Sequence, residues 1–321
     1  MLYAGVDLGG TNIKVALVTE EGKVVCEGSR PTRLPRPAEE ICADIAGLVD
    51  EVLTGTPYHR EEIAALGIGC PGTVDEKGNV VYANNLEWQN FPAGEILHRM
   101  TGLPVAVGND ANVAALGEAL FGCARGAQSA VIVTLGTGVG GGIIMDGHLV
   151  SGFNGAGSEL GHMVVQPGGV PCTCGQHGCL EMYASATGLL RMTQEAMDHN
   201  PDSAMHALAQ SQGFDGRLAF DAARQGDHAA QTVVNDYLHY LGMGLSNLIN
   251  ILFPEVIGLS GGVANQGEAL LVPLRKIVEP AIYGHEFADR KTRLVCCTLG
   301  YHAGMIGAAM LAKQHLEEGR A

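Results

Sequence analysis

The stretch 130-AVIVTLGTGVGGGIIMDGHLV-150 decides the fold. Gly136, Gly138 and Gly141 satisfy the pattern G-x-G-x-x-G, which in dinucleotide-binding units joins a strand to a helix. Such a unit needs the helix directly after the glycines, because its N-terminus holds the pyrophosphate. Here GIIMDGHLV follows, which reads as a strand, an Asp-Gly turn and another strand. The glycines therefore lie at a hairpin tip, where bare backbone N–H groups form an anion nest. The N-terminus has the same order: a strand over Leu2–Asp7, a Gly-Gly turn, a strand over Lys14–Thr19, a Glu-Gly turn and a strand over Lys23–Glu27. Setting Asp7-Leu8-Gly9-Gly10-Thr11 on Thr134-Leu135-Gly136-Thr137-Gly138 also brings VTEEGKVV close to IMDGHLV. PEVIGLSGGV, 254–263, is a third strand ending in a glycine pair, Gly261-Gly262. The chain reads as two similar halves, each opening with a three-strand meander.

Between and after these meanders the pattern is mixed α/β. A helix is predicted from Ala38 to about Leu53, with Ile41, Ile45, Leu48, Val49 and Val52 on one face. IAALGIGC and TGLPVAVGND read as strands, and DANVAALGEALFG as a helix with Asp110 as a good N-cap. Helices are expected at roughly 183–199, 203–225, 228–252 and 267–284, then a strand over Arg293–Thr298 and a final helix at about 301–315.

Composition excludes several classes. The 321 residues suit two domains sharing a cleft. No apolar run is long enough to span a membrane, and MLYAGVDLGG lacks the basic region of a signal peptide, so a cytoplasmic protein is expected. A net charge of −15 argues against a nucleic-acid backbone as partner. A nucleotide triphosphate has to be held by backbone amides and a divalent cation instead. Nine cysteines with no secretory context do not make a disulfide framework. Cys26, Cys42, Cys70, Cys123, Cys296 and Cys297 sit among apolar neighbours and read as buried thiols, whereas Cys172, Cys174 and Cys179 form a group.

Two glycine hairpins in matching places, with Gly9, Gly10 and Thr11 in one and Gly136, Thr137 and Gly138 in the other, point to nucleotide phosphates. Gly261 and Gly262 add a third loop. Asp7, ending a buried strand beside its loop, suits an outer-sphere magnesium ligand or equally a turn-capping aspartate.

The segments GVDLGGTNIKVALV, GIGCPGTVD, GNDANVAALGE, VTLGTGVGGGII, GAGSELGH with CTCGQHGCLE, and LSGGV occur in this order over nearly the whole chain. Together they resemble the ROK family of sugar kinases and repressors, most closely its bacterial glucokinase branch. The resemblance implies the actin/hexokinase type of fold: two RNase H-like domains with ATP in the interdomain cleft. Residues 1–118 would form the first, with the C-terminal helix, about 301–321, packing back on it. Residues 119–300 would form the second, with a metal loop and a helical insertion. Homodimers or homotetramers are expected by the same likeness.

Phosphoryl transfer to a sugar hydroxyl needs a base near the attacking oxygen. Asp110, where a strand ends and a helix begins, is that candidate or else only a helix cap; the family pattern favours the base. Asn109 is an amide able to serve neighbouring hydroxyls. Glu159 and Glu181 accept from ring hydroxyls, and with His162 they suit a neutral polyol. Gly72 and Asn85 fall where similar kinases line the sugar pocket. Trp88 shields that pocket or simply packs.

Cys172, Cys174 and Cys179 with His162 make a Cys3His set, suited to closed structural Zn2+. His177 is a rival ligand, and the family pattern favours His162. One imidazole nitrogen then binds zinc while the other donates to a sugar oxygen. The expected reaction is ATP-dependent, Mg2+-assisted phosphorylation of a hexose at its primary hydroxyl, glucose first. Fructose, mannose, allose or an N-acetylhexosamine are alternative acceptors. A sugar-responsive ROK regulator is the other class, disfavoured by the charge and by the few residues preceding Asp7, which leave no room for a helix-turn-helix.

Overall fold

The computed structural model describes residues 1–319; the last two residues of the expected 301–321 helix lie outside them. The chain divides into two compact units. One comprises Met1–Ala130, Gly141–Ser158 and the segment from Thr298 on; the other comprises Val131–Gly140 and Glu159–Cys297.

In the first unit β1 (Leu2–Leu8), β2 (Asn12–Thr19) and β3 (Val24–Pro31) form the meander, followed by α1 (Ala38–Glu51) and β4 (Ile63–Cys70). Three short strands, β5 (Thr73–Val74), β6 (Val80–Ala83) and β7 (Trp88–Phe91), make a separate small sheet. Next come α2 (Ala93–Thr101), β8 (Val105–Asn109) and α3 (Asp110–Phe121). The main sheet has the order β3-β2-β1-β4-β8. β1 and β2 are antiparallel, whereas β4 lies parallel to both β1 and β8.

Side chains alternate across a strand, and β1 follows that rule. Leu2, Ala4, Val6 and Leu8 join the core cluster that contains Ile41, Ile45, Leu48 and Val49 of α1. The other face carries Tyr3, Gly5 and Asp7 and receives the last helix, whose Met305 carbonyl lies against Gly5.

The second sheet is built from β9 (Ser129–Leu135), β10 (Val139–Met145), β11 (His148–Leu149) and two later strands. Before those come the helices α4 (Glu181–Ala184), α5 (Ala186–His199), α6 (Ala204–Gln212), α7 (Leu218–Arg224) and α8 (His228–Leu252). β12 (Val256–Ser260), α9 (Glu268–Ala281), β13 (Arg293–Cys296) and α10 (Ala303–Glu317) close the chain. The order β11-β10-β9-β12-β13 repeats that of the first sheet, a meander followed by two later strands. Among the described residues no helix is long and apolar enough to cross a membrane.

Three expectations are corrected, and one element is additional to them. The helix expected over 203–225 is two, α6 and α7, because Gly213 takes a positive φ of 92° and ends the first. The helix expected from 183 is divided at Ser185, whose hydroxyl caps α5 through the Gly188 N–H at 2.9 Å. The three-strand sheet of β5–β7 carries no clean alternation and was not anticipated. Of the six cysteines expected to be buried, only Cys42 and Cys70 are; Cys26, Cys123, Cys296 and Cys297 are half-buried.

α10 lies along α3 and across β1 and β4. The approach is so close that a Cβ on Gly307 would stand 1.6 Å from the Val113 carbonyl oxygen of α3. Gly307→Ala is therefore expected to destabilise the protein by about 1–3 kcal/mol or more, the usual cost of overpacking. A urea titration checks this. An unchanged midpoint would mean that α3 and α10 separate freely.

Candidate active site and metal loop

The first unit holds eight of the expected residues. β1 and β2 are joined by a tight loop in which Gly9 N–H donates to the Asn12 carbonyl at 2.9 Å. Thr32 fastens the loop from the side, donating its hydroxyl to the Gly9 carbonyl at 2.7 Å and its N–H to the Thr11 carbonyl at 2.8 Å. Gly10 and Thr11 are exposed at the tip. Asp7 is half-buried at the end of β1 and forms an ion pair with Lys14 Nζ at 2.9 Å. The pairing follows from register, since Asp7 and Lys14 are directly opposed across the hairpin. Asn85, exposed, has its backbone carbonyl beside Gly10.

Asn109 and Asp110 lie where β8 becomes α3. Asn109 is the helix cap: its side-chain oxygen accepts from the N–H groups of Ala111 at 3.0 Å and Asn112 at 3.1 Å. Its amide nitrogen donates to the Gly72 carbonyl at 3.0 Å, so two expected sugar-site residues are joined directly. This corrects the reading of Asp110 as N-cap. Asp110 is the first helical residue, half-buried, with Oδ1 accepting from the Ala111 N–H at 2.8 Å. Burial, with the Asp110 carboxylate nearby, pushes the Cys70 thiol up. Trp88 is buried and packs on Phe91 with ring centroids 4.6 Å apart.

The second unit gathers the rest. After β9, the Gly136 N–H donates to the Gly138 carbonyl at 3.0 Å and the loop turns into β10. The start of α5 secures the loop, with the Ala186 N–H on the Gly136 carbonyl at 2.8 Å and the Thr187 hydroxyl on the Thr137 carbonyl at 2.7 Å. Glu181 lies against the same loop: Oε2 accepts from the Val139 N–H at 3.0 Å. A Cβ at position 138 would stand 2.3 Å from that oxygen, so any larger residue there would displace the Glu181 carboxylate. Gly261, at φ +88°, brings the third loop against the Leu135 backbone, while Gly262 is exposed. Glu159 is exposed, and the turn from Leu160 to His162 packs its Gly161 on the Val139 carbonyl.

The four expected metal ligands converge. His162 Nδ1 is 3.7 Å from Cys172 Sγ, Cys174 Sγ is 3.6 Å from Cys179 Sγ, and all four ligand atoms lie within 4.8 Å of one another. Tetrahedral zinc with Zn–S near 2.3 Å and Zn–N near 2.0–2.1 Å has edges of roughly 3.6–3.8 Å. The set fits. Burial, reinforced by the neighbouring thiols, pushes the Cys179 thiol up to about 12. A cation is what turns such a thiol into a thiolate at neutral pH. The backbone N–H of Gln176 acts in the other direction on Cys174, whose thiol is lowered. His177 is exposed, with Nδ1 3.2 Å from the Gly169 carbonyl oxygen, and stands outside the set.

The ROK family model matches residues 3–315. The chain belongs to the ROK family. A glucokinase of Halalkalibacterium halodurans is 39% identical over 97% of this chain and 95% of its own length. A glucokinase of Thermotoga maritima is 39% identical over 97% of both chains. The crystal structure of a ROK family glucokinase from Streptomyces griseus in complex with glucose and AMPPNP is 36% identical, covers 98% of this chain and 100% of its own, and superposes with a TM-score of 0.80. The fold of this ROK protein is accordingly of the actin/hexokinase type.

Sequence reasoning missed three supports of this ROK site. Lys14 was legible, since a hairpin centred between Gly10 and Thr11 sets residue 14 opposite residue 7. Thr32 and Gly304 were not; a Cβ on Gly304 would stand 3.3 Å from Asp7 Cγ, a contact made through the far end of the chain.

Proposed function

We propose that the protein transfers the γ-phosphoryl group of ATP to the primary hydroxyl of a hexose, glucose first among them. One observation carries the assignment of the base. Asn109 supplies the cap of α3, and the neighbouring Asp110 carboxylate is held at the strand-to-helix junction by the Ala111 N–H on its Oδ1. A carboxylate so placed takes the proton as the sugar oxygen attacks phosphorus, while the rest of catalysis is positioning and charge stabilisation.

Asn109, Glu159, His162 and Glu181 are assigned to ring hydroxyls, and Gly72 and Asn85 to the lining of the sugar site. Glu181 Oε2 is committed to the Val139 N–H, so Oε1 is the oxygen assigned to the sugar. The loops at Gly9–Thr11, Gly136–Gly138 and Gly261–Gly262 are assigned to the nucleotide phosphates. Magnesium enters with ATP. Asp7 is assigned to its hydration shell, and Lys14, its ion-pair partner, adds positive charge next to the same loop.

Zinc is assigned to His162, Cys172, Cys174 and Cys179 as a structural ion. The Nδ1 atom faces the thiols, leaving Nε2 as the N–H that donates to a sugar oxygen. A regulator that grips DNA is disfavoured by the net charge of −15.

The decisive experiment is an ADP-release assay with Mg-ATP against glucose, fructose, mannose, allose and the N-acetylhexosamines. The highest kcat/KM is expected with glucose. A clear preference for another hexose moves the acceptor assignment, and no ADP release with any of them removes the kinase reading.

A further inference from the structure

Glu118 is the last residue of the segment GNDANVAALGE and sits on α3 two turns beyond Asp110. It is only 1% exposed, an expensive place for a carboxylate unless its oxygens are matched by donors. Backbone N–H groups match them. Oε2 accepts from Cys123 at 2.9 Å, Oε1 accepts from Leu299 at 2.7 Å, and both oxygens accept from Thr298 at 3.1 Å. Hydrogen bonds to an ionised acceptor are roughly twice as strong as neutral ones. Gly122 closes the nest from the far side, where a Cβ would stand 1.9 Å from Oε2.

The three donors matter for what they lead to. Thr298 and Leu299 are the residues from which the chain turns, through Gly300–His302, into α10. The first turn of α10 sets Gly304 against Asp7. The helix bearing Glu118 begins at Asp110, with Asn109 as its cap. One carboxylate thus ties the start of α10, beside Asp7, to the helix that presents Asp110.

We propose that Glu118 is a positioning residue for phosphoryl transfer: its buried carboxylate fixes the spacing between Asp110 on the acceptor side and Asp7 on the donor side. The proposal rests on the assignment of Asp110 as base. It acts on geometry alone, and a misplacement of about 1 Å can cost roughly 10²-fold in rate.

Glu118→Gln keeps the shape of the side chain, removes its charge and turns an N–H2 towards backbone N–H groups. Turnover is expected to fall about tenfold, with KM for glucose changed less than about threefold, a split that follows from disturbing the base more than the sugar contacts. Because Glu118 is also a stabilising group, the comparison is with a core variant of matched urea midpoint, Ile45→Val, in the cluster on the opposite face of the first sheet. A loss of kcat no larger than in that control makes Glu118 merely structural and overturns the proposal. If Glu118→Gln does not fold, Gly122→Ala displaces the same carboxylate without removing it, and unchanged turnover in that variant also overturns it. In the double variant with Asp110→Asn, Glu118→Gln should add little further loss; a full multiplicative loss would show that it does not act through Asp110. Near-normal turnover of Asp110→Asn alone would instead remove the base assignment, and Glu118 would then be judged by the Glu118→Gln and Gly122→Ala turnover against the control.

Discussion

Asp110→Asn is expected to fold normally, to bind glucose with nearly unchanged affinity, and to turn over at least roughly 10²-fold more slowly, the scale of a positioned general base. The substitution is close to isosteric and removes the proton acceptor. The α3 cap stays intact because Asn109 provides it, with its side-chain oxygen 3.0 Å from the Ala111 N–H. The measurement is kcat in the ADP-coupled assay, alongside a calorimetric glucose titration and a urea midpoint. Turnover near that of the unmodified enzyme, with glucose still bound, would take Asp110 out of the chemistry.

The second large effect is expected at the metal loop. Elemental analysis of the purified protein should find about one zinc per chain, because three thiolates and an imidazole in tetrahedral array select that ion. Cys174 is the ligand to change. It is exposed, whereas Cys172 and Cys179 are buried, so Cys174→Ser tests ligation with little disturbance of packing. Metal should be lost, and glucose affinity should fall by at least roughly 10-fold, the lower end of the 10–100-fold loss of metal affinity or activity that follows removal of an outer-shell partner. The mechanism would be disorder of the 162–181 segment, which a bound ion would hold at both ends: at His162 near its start, and at Cys179 two residues before Glu181. Full zinc occupancy in Cys174→Ser would show that the ligand set is different.

Much of this was legible in the chain because local patterns set it. The two meanders follow from glycine pairs between alternating strands, and the first sheet places Leu2, Ala4, Val6 and Leu8 in the core as the alternation requires. The convergence of the three thiols was legible from their close spacing. What distinguishes His162 from His177 is the path of the backbone: the bridge of Val164 with Cys179 brings residue 162 to the thiols and leaves His177 facing Gly169. The cap of α3 was misassigned by one residue, because Asn and Asp are equally good caps and only the dihedral angles at the junction separate them. Thr32, Gly304 and Glu118 were beyond reach for another reason. Each acts on a segment distant in sequence, Glu118 on a backbone 180 residues away, and no periodicity records such a meeting.

Glu181 has one further consequence, for inhibition. Its Oε2 holds the Val139 N–H of the loop assigned to phosphate, its other oxygen is assigned to the sugar, and Cys179 precedes it by two residues. A reagent that strips the ion therefore need not resemble either substrate to weaken both. Its kinetic signature would be mixed against glucose and mixed against ATP, and neither substrate in excess would restore full velocity. For the same reason a redesigned acceptor preference at position 181 would carry an altered nucleotide KM with it, since under this assignment the two specificities would share one side chain.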